Sequence, residues 1–483
     1  MNIPDDAFYT LLNQALAQRG EETLQRALYH ALQEAILRGT LGAKSRLPGS
    51  RAMAQTLTVS RNTVNGALEQ LATEGYLLRD RQGSRVAILP QRPVVDAPEP
   101  PAVRLPPHLA RLPAGTQRDS PTLMLTPGTP AVNYFPLPLW RRIIDRTLRE
   151  EGSALLGYGD SAGEMRLREA IARHLTLSRA ISCDASQIVI TEGALEGLTL
   201  CARLLSEAGE TAWVEEPGYV GAKSAFLSAG LHVVGIPVGE EGMQPDGNAP
   251  LPRLIFTSPS HQYPYGTVLS ASRRLALLEF ARKQGAWIVE DDYDSEFRYS
   301  GEPIPAMLGM MENAPVVYLG TFSKTLFPAL RIGFMVMPKV LAAAVQPLIS
   351  SLLRGGHRTE QVALAHFIEE GHYARHLASM RRLYRKRQLQ LREAIGRELL
   401  FPHQIIGGGG GMHLTVQIDG IDDVAVVQQA RQYQLAPAAL SRFWLDETEA
   451  RSGLVLGYGS TSASQFPAAL RTLQQIMRRC RRG

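Results

Sequence analysis

The sequence predicts an α/β protein of two globular units: a small, mainly helical N-terminal module and a large body built on a mostly parallel sheet. Three observations carry this. The chain has 483 residues and is 45% hydrophobic, too long for one ordinary core and too apolar to stay unfolded. Nine prolines fall within the 32 residues from Pro90 to Pro121. Proline lacks the donor that helices and inner strands require, so this stretch reads as an extended, semi-rigid linker. Beyond it, apolar β-rich runs alternate with helical stretches, the pattern of strands covered on both faces. The expected divisions are 1–89, 90–121 and 122–483, with no repeat of fixed period.

Composition removes several classes. Charged residues make up 20% of the chain, no run approaches about 20 apolar residues, and the N-terminal MNIPDDAF carries acids where a signal peptide would be basic. A cytosolic protein without membrane contact is expected. Cys183, Cys201 and Cys480 are far apart and form no C-x-x-C pair, which argues against a zinc site or a disulfide framework and for small isolated thiols. A net charge of +5 is modest, but from Arg38 to Arg85 eight basic residues face three acids.

In that basic stretch, Leu24, Leu28, Leu32, Ile36 and Leu37 share one face of a helix from Thr23 that ends before Gly39. Arg51 to Leu57 forms a second short helix, Thr58-Val59 turns the chain, and Ser60 caps a third running to Glu74 with Val64, Leu68 and Leu71 inward. Two short helices joined by a tight turn make a helix-turn-helix, whose second helix enters the major groove by its first turn. That turn offers Ser60, Arg61, Asn62 and Thr63. Two short strands, Tyr76–Leu78 and Arg85–Ile88, joined by the polar Arg79–Ser84, then form a wing able to lie on phosphates.

In the body, the runs IVIT (188–191), TAWVEE (211–216), LIFTSPS (254–260), AWIVEDDY (286–293) and VVYLGTFS (316–323) read as strands, several ending in polar residues. Ligands of open α/β sheets bind at that carboxyl edge. Lys324, in GTFSKTLFPALRIG (320–333), directly follows an apolar strand, where partial desolvation favours a neutral amine able to attack an aldehyde. Thr321, Ser323 and Arg331 offer hydroxyls and a guanidinium to a phosphate, and the strand-to-helix turn Thr191-Glu192-Gly193-Ala194 adds free backbone donors. EDDYDSEF (290–297) supplies a carboxylate for a pyridine nitrogen and a tyrosine for a phenolic oxygen; EEPGY places Tyr219 where a ring can stack. These are the adjustments that pyridoxal 5'-phosphate (PLP) requires. Clustered acids also suit a hard cation, but no second carboxylate cluster supports a metal.

RLPGSRAMAQTLTVSRNTVNGALEQLATEGYLLRDRQGS (46–84) resembles the winged helix-turn-helix of the GntR family, and the motifs of the body resemble fold-type I aminotransferases. Together they resemble the MocR/GabR-type regulators, which join the two. The resemblance implies a PLP-binding body with Lys324 as the Schiff-base lysine, Asp291 partnering the pyridine nitrogen, Tyr293 the phenolic oxygen and Tyr219 the ring face. It implies a phosphate held by Thr321, Ser323, Arg331 and the amides of Gly193 and Ala194. It also implies double-stranded DNA contacts through Arg51, Arg61 and Thr63, a wing tip at Gly83, and a head-to-tail homodimer.

The chain departs from the enzymes at informative places. Tyr263-Pro264-Tyr265-Gly266 stands where aminotransferases commonly have Asn-Pro-x-Gly, and Val455 stands where they place a carboxylate-binding arginine. Arg442 is the nearest replacement for binding an effector carboxylate. Gly221 stands where the γ-aminobutyrate sensor has a second arginine, which disfavours that effector. A regulator that senses PLP, an amine or an amino acid is therefore expected ahead of a working aminotransferase with an appended DNA-binding domain.

Overall fold

The computed structural model describes residues 5–80, 83–89, 104–110, 112, 123–299 and 304–481, and the chain divides into two compact units, Met1–Arg104 and Leu105–Gly483. Most of the proline-rich stretch 90–121 lies outside the described residues. Within it, α5 (Pro107–Ala110) makes one helical turn.

The N-terminal unit runs α1 (Asp5–Ala17), α2 (Leu24–Leu37), α3 (Ser50–Thr56), α4 (Arg61–Thr73), then β1 (Leu77–Asp80) and β2 (Gly83–Val86). The first helix was not expected, although Phe8, Leu12 and Leu16, four residues apart, place its buried stripe on the same core as Leu28, Leu32, Val64 and Leu68. Hydroxyl caps start the next helices: the Thr23 side chain accepts from Arg26 N, and Ser60 Oγ accepts from Thr63 N at 3.0 Å. Between α3 and α4, Thr58 turns the chain with a φ of +53°. The wing is tighter than the sequence suggested. The antiparallel pair runs from Leu77↔Val86 to Asp80↔Gly83, so its strands take in most of the expected connection, and Ile88 falls outside, 70% exposed. Leu77 and Val86 supply the inward face of the pair, and a bridge from Arg46 to Arg85 adds a third segment beside it.

In the body the strands are β3 (Ile188–Thr191), β4 (Thr211–Glu216), β5 (His232–Gly239), β6 (Gly242–Met243), β7 (Leu254–Thr257), β8 (Trp287–Asp292), β9 (Val316–Thr321) and β10 (Gly333–Val336), in the order β3-β10-β9-β8-β7-β4-β5-β6. Neighbours from β9 to β5 are parallel, whereas β10 runs against both β3 and β9. Helices α6 (Leu137–Glu151), α7 (Met165–Arg179), α8 (Ala194–Leu205), α9 (Val220–Ser228), α10 (Ala271–Gln284), α11 (Lys339–Leu352), α12 (Arg358–Glu369) and α13 (His372–Glu398) surround it. Strand alternation separates the faces: Ile188, Ile190 and Phe334 pack with Ile171 of α7 and Phe367 of α12, while Val189, Val317 and Met335 pack with Leu198 and Cys201 of α8. A smaller antiparallel sheet, β11 (Gln404–Ile406), β12 (His413–Gln417), β13 (Ala438–Ala439) and β14 (Gly453–Gly457), is accompanied by α14 (Asp423–Ala430) and α15 (Phe466–Arg479).

Leu68, 2% exposed in α4, tests the N-terminal core. Leu68→Ala is expected to cost that unit about 2–5 kcal/mol. Hydrogen exchange followed by mass spectrometry should then show lost amide protection in α2 and α4 and unchanged protection in β8 and β9.

Candidate cofactor site and DNA-binding surface

The strand directions build the site. Because β4, β7, β8 and β9 are parallel, and β3 shares their direction through the antiparallel β10, their carboxyl ends lie on one edge. Gly333 sits opposite both Thr191 and Thr321 in register, which draws the Thr191–Ala194 turn against the Thr321–Lys324 loop. The approach is close: a Cβ on Gly333 would stand 2.8 Å from Gly193 Cα.

Gly193, with a φ of +87°, caps α8, whose first residue is Ala194. Arg331 reaches the same turn, donating from Nη2 to the Glu192 carbonyl at 2.6 Å, with its guanidinium carbon 3.6 Å from where a Gly193 Cβ would stand. Ser323 N donates to Thr321 Oγ1 at 3.2 Å, and Ser323 Oγ is buried without a hydrogen-bond partner among the described residues. The predicted phosphate ligands Gly193, Ala194, Thr321, Ser323 and Arg331 thus converge on one helix N-terminus, where donors and dipole favour an anion. Lys324 Nζ donates to the Gly128 carbonyl at 2.8 Å. Gly128 has a φ of +66°, and a Cβ there would lie 3.0 Å from that amine.

On β8, alternation sends Glu290 and Asp292 to one face and Asp291 to the other. Glu290 accepts from the amides of Met307 and Leu308 at 3.1 and 3.3 Å; Asp292 pairs with Arg179 Nε at 2.7 Å and accepts from Tyr318 Oη at 2.7 Å. Asp291 Oδ1 is buried and meets no donor among the described residues. Burial, with Asp292 and Glu215 nearby, pushes the Asp291 carboxyl up to about 8 against the pull of Lys324. A carboxyl so placed is suited to a cationic N–H, and a pyridinium brings one. Its neighbour Glu215 is already satisfied by Thr257 Oγ1 and by the amide and hydroxyl of Ser258.

Tyr293 Oη lies 3.1 Å from His261 Nδ1. Tyr219, at the N-cap of α9, packs its ring 6.3 Å from Phe256 and 6.4 Å from Tyr263, which stands perpendicular to Tyr293 at 6.2 Å. Arg442 is not drawn into this group: it is exposed in the one-turn helix Leu440–Phe443, and Phe443 turns in instead, 5.2 Å from Tyr263. Val455 is fully buried in an apolar cluster with Leu440 and Phe443. Sequence reasoning missed Gly128, Glu215, His261 and Asp294. In PSHQYPYG (259–266) the missing asparagine and a match to the regulators stood out, and neither singled out His261. Among the described residues His261, Asp294 and His413 are also at metal-ligand spacing, all buried; there Asp294 pairs with His261 at 2.9 Å and His413 Nε2 faces the Pro264 carbonyl at 2.9 Å.

On the N-terminal unit, Arg51 begins the exposed face of α3, and Arg61 and Asn62 lie exposed in the first turn of α4. Ser60 and Thr63 are committed to the cap: Ser60 Oγ accepts from Thr63 N and lies 2.8 Å from Thr63 Oγ1. Gly83 is exposed at the wing tip with a φ of +120°, and the Arg46 guanidinium lies 3.7 Å from the position of a Gly83 Cβ. Arg46 was counted among the basic residues but not singled out, because its approach to the wing depends on pairing with Arg85.

Residues 24–86 match the family described as "Bacterial regulatory proteins, gntR family", and residues 131–441 match "Aminotransferase class I and II". The chain is 38% identical to the probable rhizopine catabolism regulatory protein MocR of Rhizobium meliloti, covering 93% of both chains. It is 32% identical to the pyridoxine biosynthesis transcriptional regulator PdxR of Corynebacterium glutamicum, over 92% of this chain and 94% of that one. Among solved structures, the body is similar to the α-aminoadipate aminotransferase LysN of Thermus thermophilus, complexed with N-(5'-phosphopyridoxyl)-L-leucine: 25% identity, a TM-score of 0.70, 77% of this chain and 97% of that one. An exposed recognition helix with a basic wing in one unit, and a lysine at the carboxyl edge of an aminotransferase sheet in the other, agree with both matches: the chain belongs to the MocR-type transcriptional regulators, in which a GntR-family DNA-binding domain is joined to an aminotransferase-like domain.

Proposed function

We propose that this regulator holds PLP on Lys324 and uses it to sense an amine, an amino acid or PLP itself, changing how its winged helices meet double-stranded DNA in the cytosol. The observation that carries the reading is the buried, unpartnered Asp291 Oδ1 on the same edge as Lys324. PLP supplies an aldehyde carbon for the lysine and an electron-withdrawing ring. The chain supplies the rest: Asp291 holds the ring nitrogen, Tyr293 faces the phenolic oxygen, Tyr219 covers a ring face, and the Gly193 turn with Thr321, Ser323 and Arg331 takes the phosphate.

Sensing is favoured over turnover by Val455, which lies sealed among Leu440 and Phe443 and offers no charge to a substrate carboxylate; Arg442, exposed nearby, remains the candidate for an effector carboxylate. Regulation requires that the effector bind two arrangements of the protein with different affinity. A head-to-tail homodimer would present two winged helices to paired half-sites. Leu156 and Tyr158, 84% and 98% exposed before α7, support a surface that a second copy covers.

Three outcomes test the reading. Full-length protein mixed with PLP should develop a visible absorption band that Lys324→Ala abolishes; an unchanged spectrum in the variant removes the proposal. Asp291→Asn should keep the fold and weaken PLP retention by roughly 10- to 100-fold, the worth of one hydrogen bond to a charged group, measured by equilibrium dialysis. Arg61→Ala should weaken binding to the region upstream of the protein's own gene by about 10-fold or more, read by fluorescence anisotropy at fixed salt, with PLP retention unaffected.

A further inference from the structure

The carboxylate of Asp294 and the imidazole of His261 are buried, 1% and 6% exposed, although 33 residues separate them. Both Asp294 oxygens approach His261 Nδ1, at 2.9 and 3.1 Å, and the same nitrogen stands 3.1 Å from Tyr293 Oη. Burial pushes the Asp294 carboxyl up and its pairing with His261 pulls it back; in the ionised form it has no proton to give, so the nitrogen flanked by its two oxygens carries the hydrogen. Nδ1–H is then shared between Asp294 and Tyr293. The tyrosine oxygen becomes an acceptor from histidine, and its own hydroxyl proton must point elsewhere.

The surroundings fix this polarity. The His413 ring packs 5.1 Å from that of His261, and burial, followed by the proximity of His261, lowers the His413 pKa to about 3, so a neutral ring lies against the relay. Tyr263 stands perpendicular to Tyr293 at 6.2 Å and packs 5.0 Å from His413. Besides Asp294, the titratable groups that bear on Tyr293, His261 and their partners include Asp291, Asp292, Glu215, Glu296, Tyr263, Tyr299, Tyr458, His413 and Lys324.

We propose that Asp294 and His261 are positioning residues for Tyr293, holding its hydroxyl as a one-way donor to the phenolic oxygen of PLP and so setting the charge state with which the site meets an incoming amine. This rests on the reading that PLP occupies the edge beside Lys324. A donor at the phenolic oxygen withdraws electron density from the ring system, which makes the chromophore release its proton at lower pH.

The test is a pH titration of the visible band of the full-length, PLP-loaded protein. Tyr293→Phe is expected to move the midpoint up by about one pH unit, the effect of losing one hydrogen bond to a charged form. His261→Phe should move it in the same direction, and the double variant should go no further than Tyr293→Phe alone. Asp294→Asn, which keeps the shape, should give a smaller shift of the same sign and serves if His261→Phe does not fold. A midpoint unmoved by Tyr293→Phe, an effect of Tyr293→Phe that neither His261→Phe nor Asp294→Asn shares, or strictly additive shifts in the double variant would overturn the relay. So would a wild-type midpoint that moves by the same amount when a chelator is added, since that assigns the three groups to a metal. Absence of any visible band in wild type overturns the PLP reading itself and is distinguishable from all of these.

Discussion

Asp291 enters the body at the end of a strand that is buried on both faces, and its carboxyl meets there a second acid, a desolvating wall and no donor for Oδ1 among the described residues. A bare charge in that position costs several kcal/mol, so the group must be neutralised by protonation or by a ligand. Every neighbouring acid has a different answer. Glu290 uses two backbone amides, Asp292 uses Arg179 and Tyr318, Glu215 uses two hydroxyls and an amide, and Asp294 uses His261. The distinction comes from pleating alone: with Glu290 and Asp292 turned to one face, Asp291 is the member of the run that faces Glu215 and Lys324. The same edge that leaves it unsatisfied carries Lys324 and the proposed phosphate cradle, so on the PLP reading the cost of one carboxyl is tied to occupancy of the site.

The cradle in turn depends on the reversed strand. Because β10 runs against both neighbours, its first residue, Gly333, stands beside their last, Thr191 and Thr321, and the chain entering it from Arg331 passes between the Gly193 turn and the Lys324 loop. Two glycines, Gly193 and Gly333, admit that approach, and Arg331 spans it from one side. The sheet is therefore mostly parallel for the reason the apolar runs suggested, yet the site rests on its antiparallel exception.

What was legible in the sequence followed local patterns. Runs such as 188–191 and 316–323 announced strands because they are continuous in apolar residues, and Lys324, Asp291, Tyr293 and Arg331 stood out because each lies within a few residues of a strand end. The third helix was readable from the Ser60 cap and from the spacing of Val64, Leu68 and Leu71. What escaped depends on residues distant in the chain. Gly128 meets Lys324 across 196 residues, and His261 meets Asp294 across 33; neither spacing has a local signature. The wing was misjudged for another reason: polar residues on an exposed hairpin can be ladder or loop, and pairing through Asp80↔Gly83 decides between them. The helix α1 has its signal in Phe8, Leu12 and Leu16, a stripe of three apolar residues that specifies a helix only through the core it packs on.

The aromatic side of the site bears on why a body of this architecture suits regulation. Tyr219, Tyr293 and Phe443 each lie within 6.4 Å of Tyr263, which ties them into one group of rings, and Val455 packs in the same apolar cluster as Phe443 and Tyr263. An enzyme gains rate by gripping the charge that its substrate brings; a wall of rings grips shape and leaves the charge of the ligand to be read elsewhere. In this chain the groups that respond to charge are Asp291, the Asp294–His261–Tyr293 chain and Lys324. They sit at the ends of β8 and β9 and in the loop that carries His261 after β7, so three adjacent strands share them. On the proposed reading, an effector bound there shifts the protein only as far as it favours one arrangement of those strands over another, which is the condition a sensor joined to a DNA-binding domain must meet.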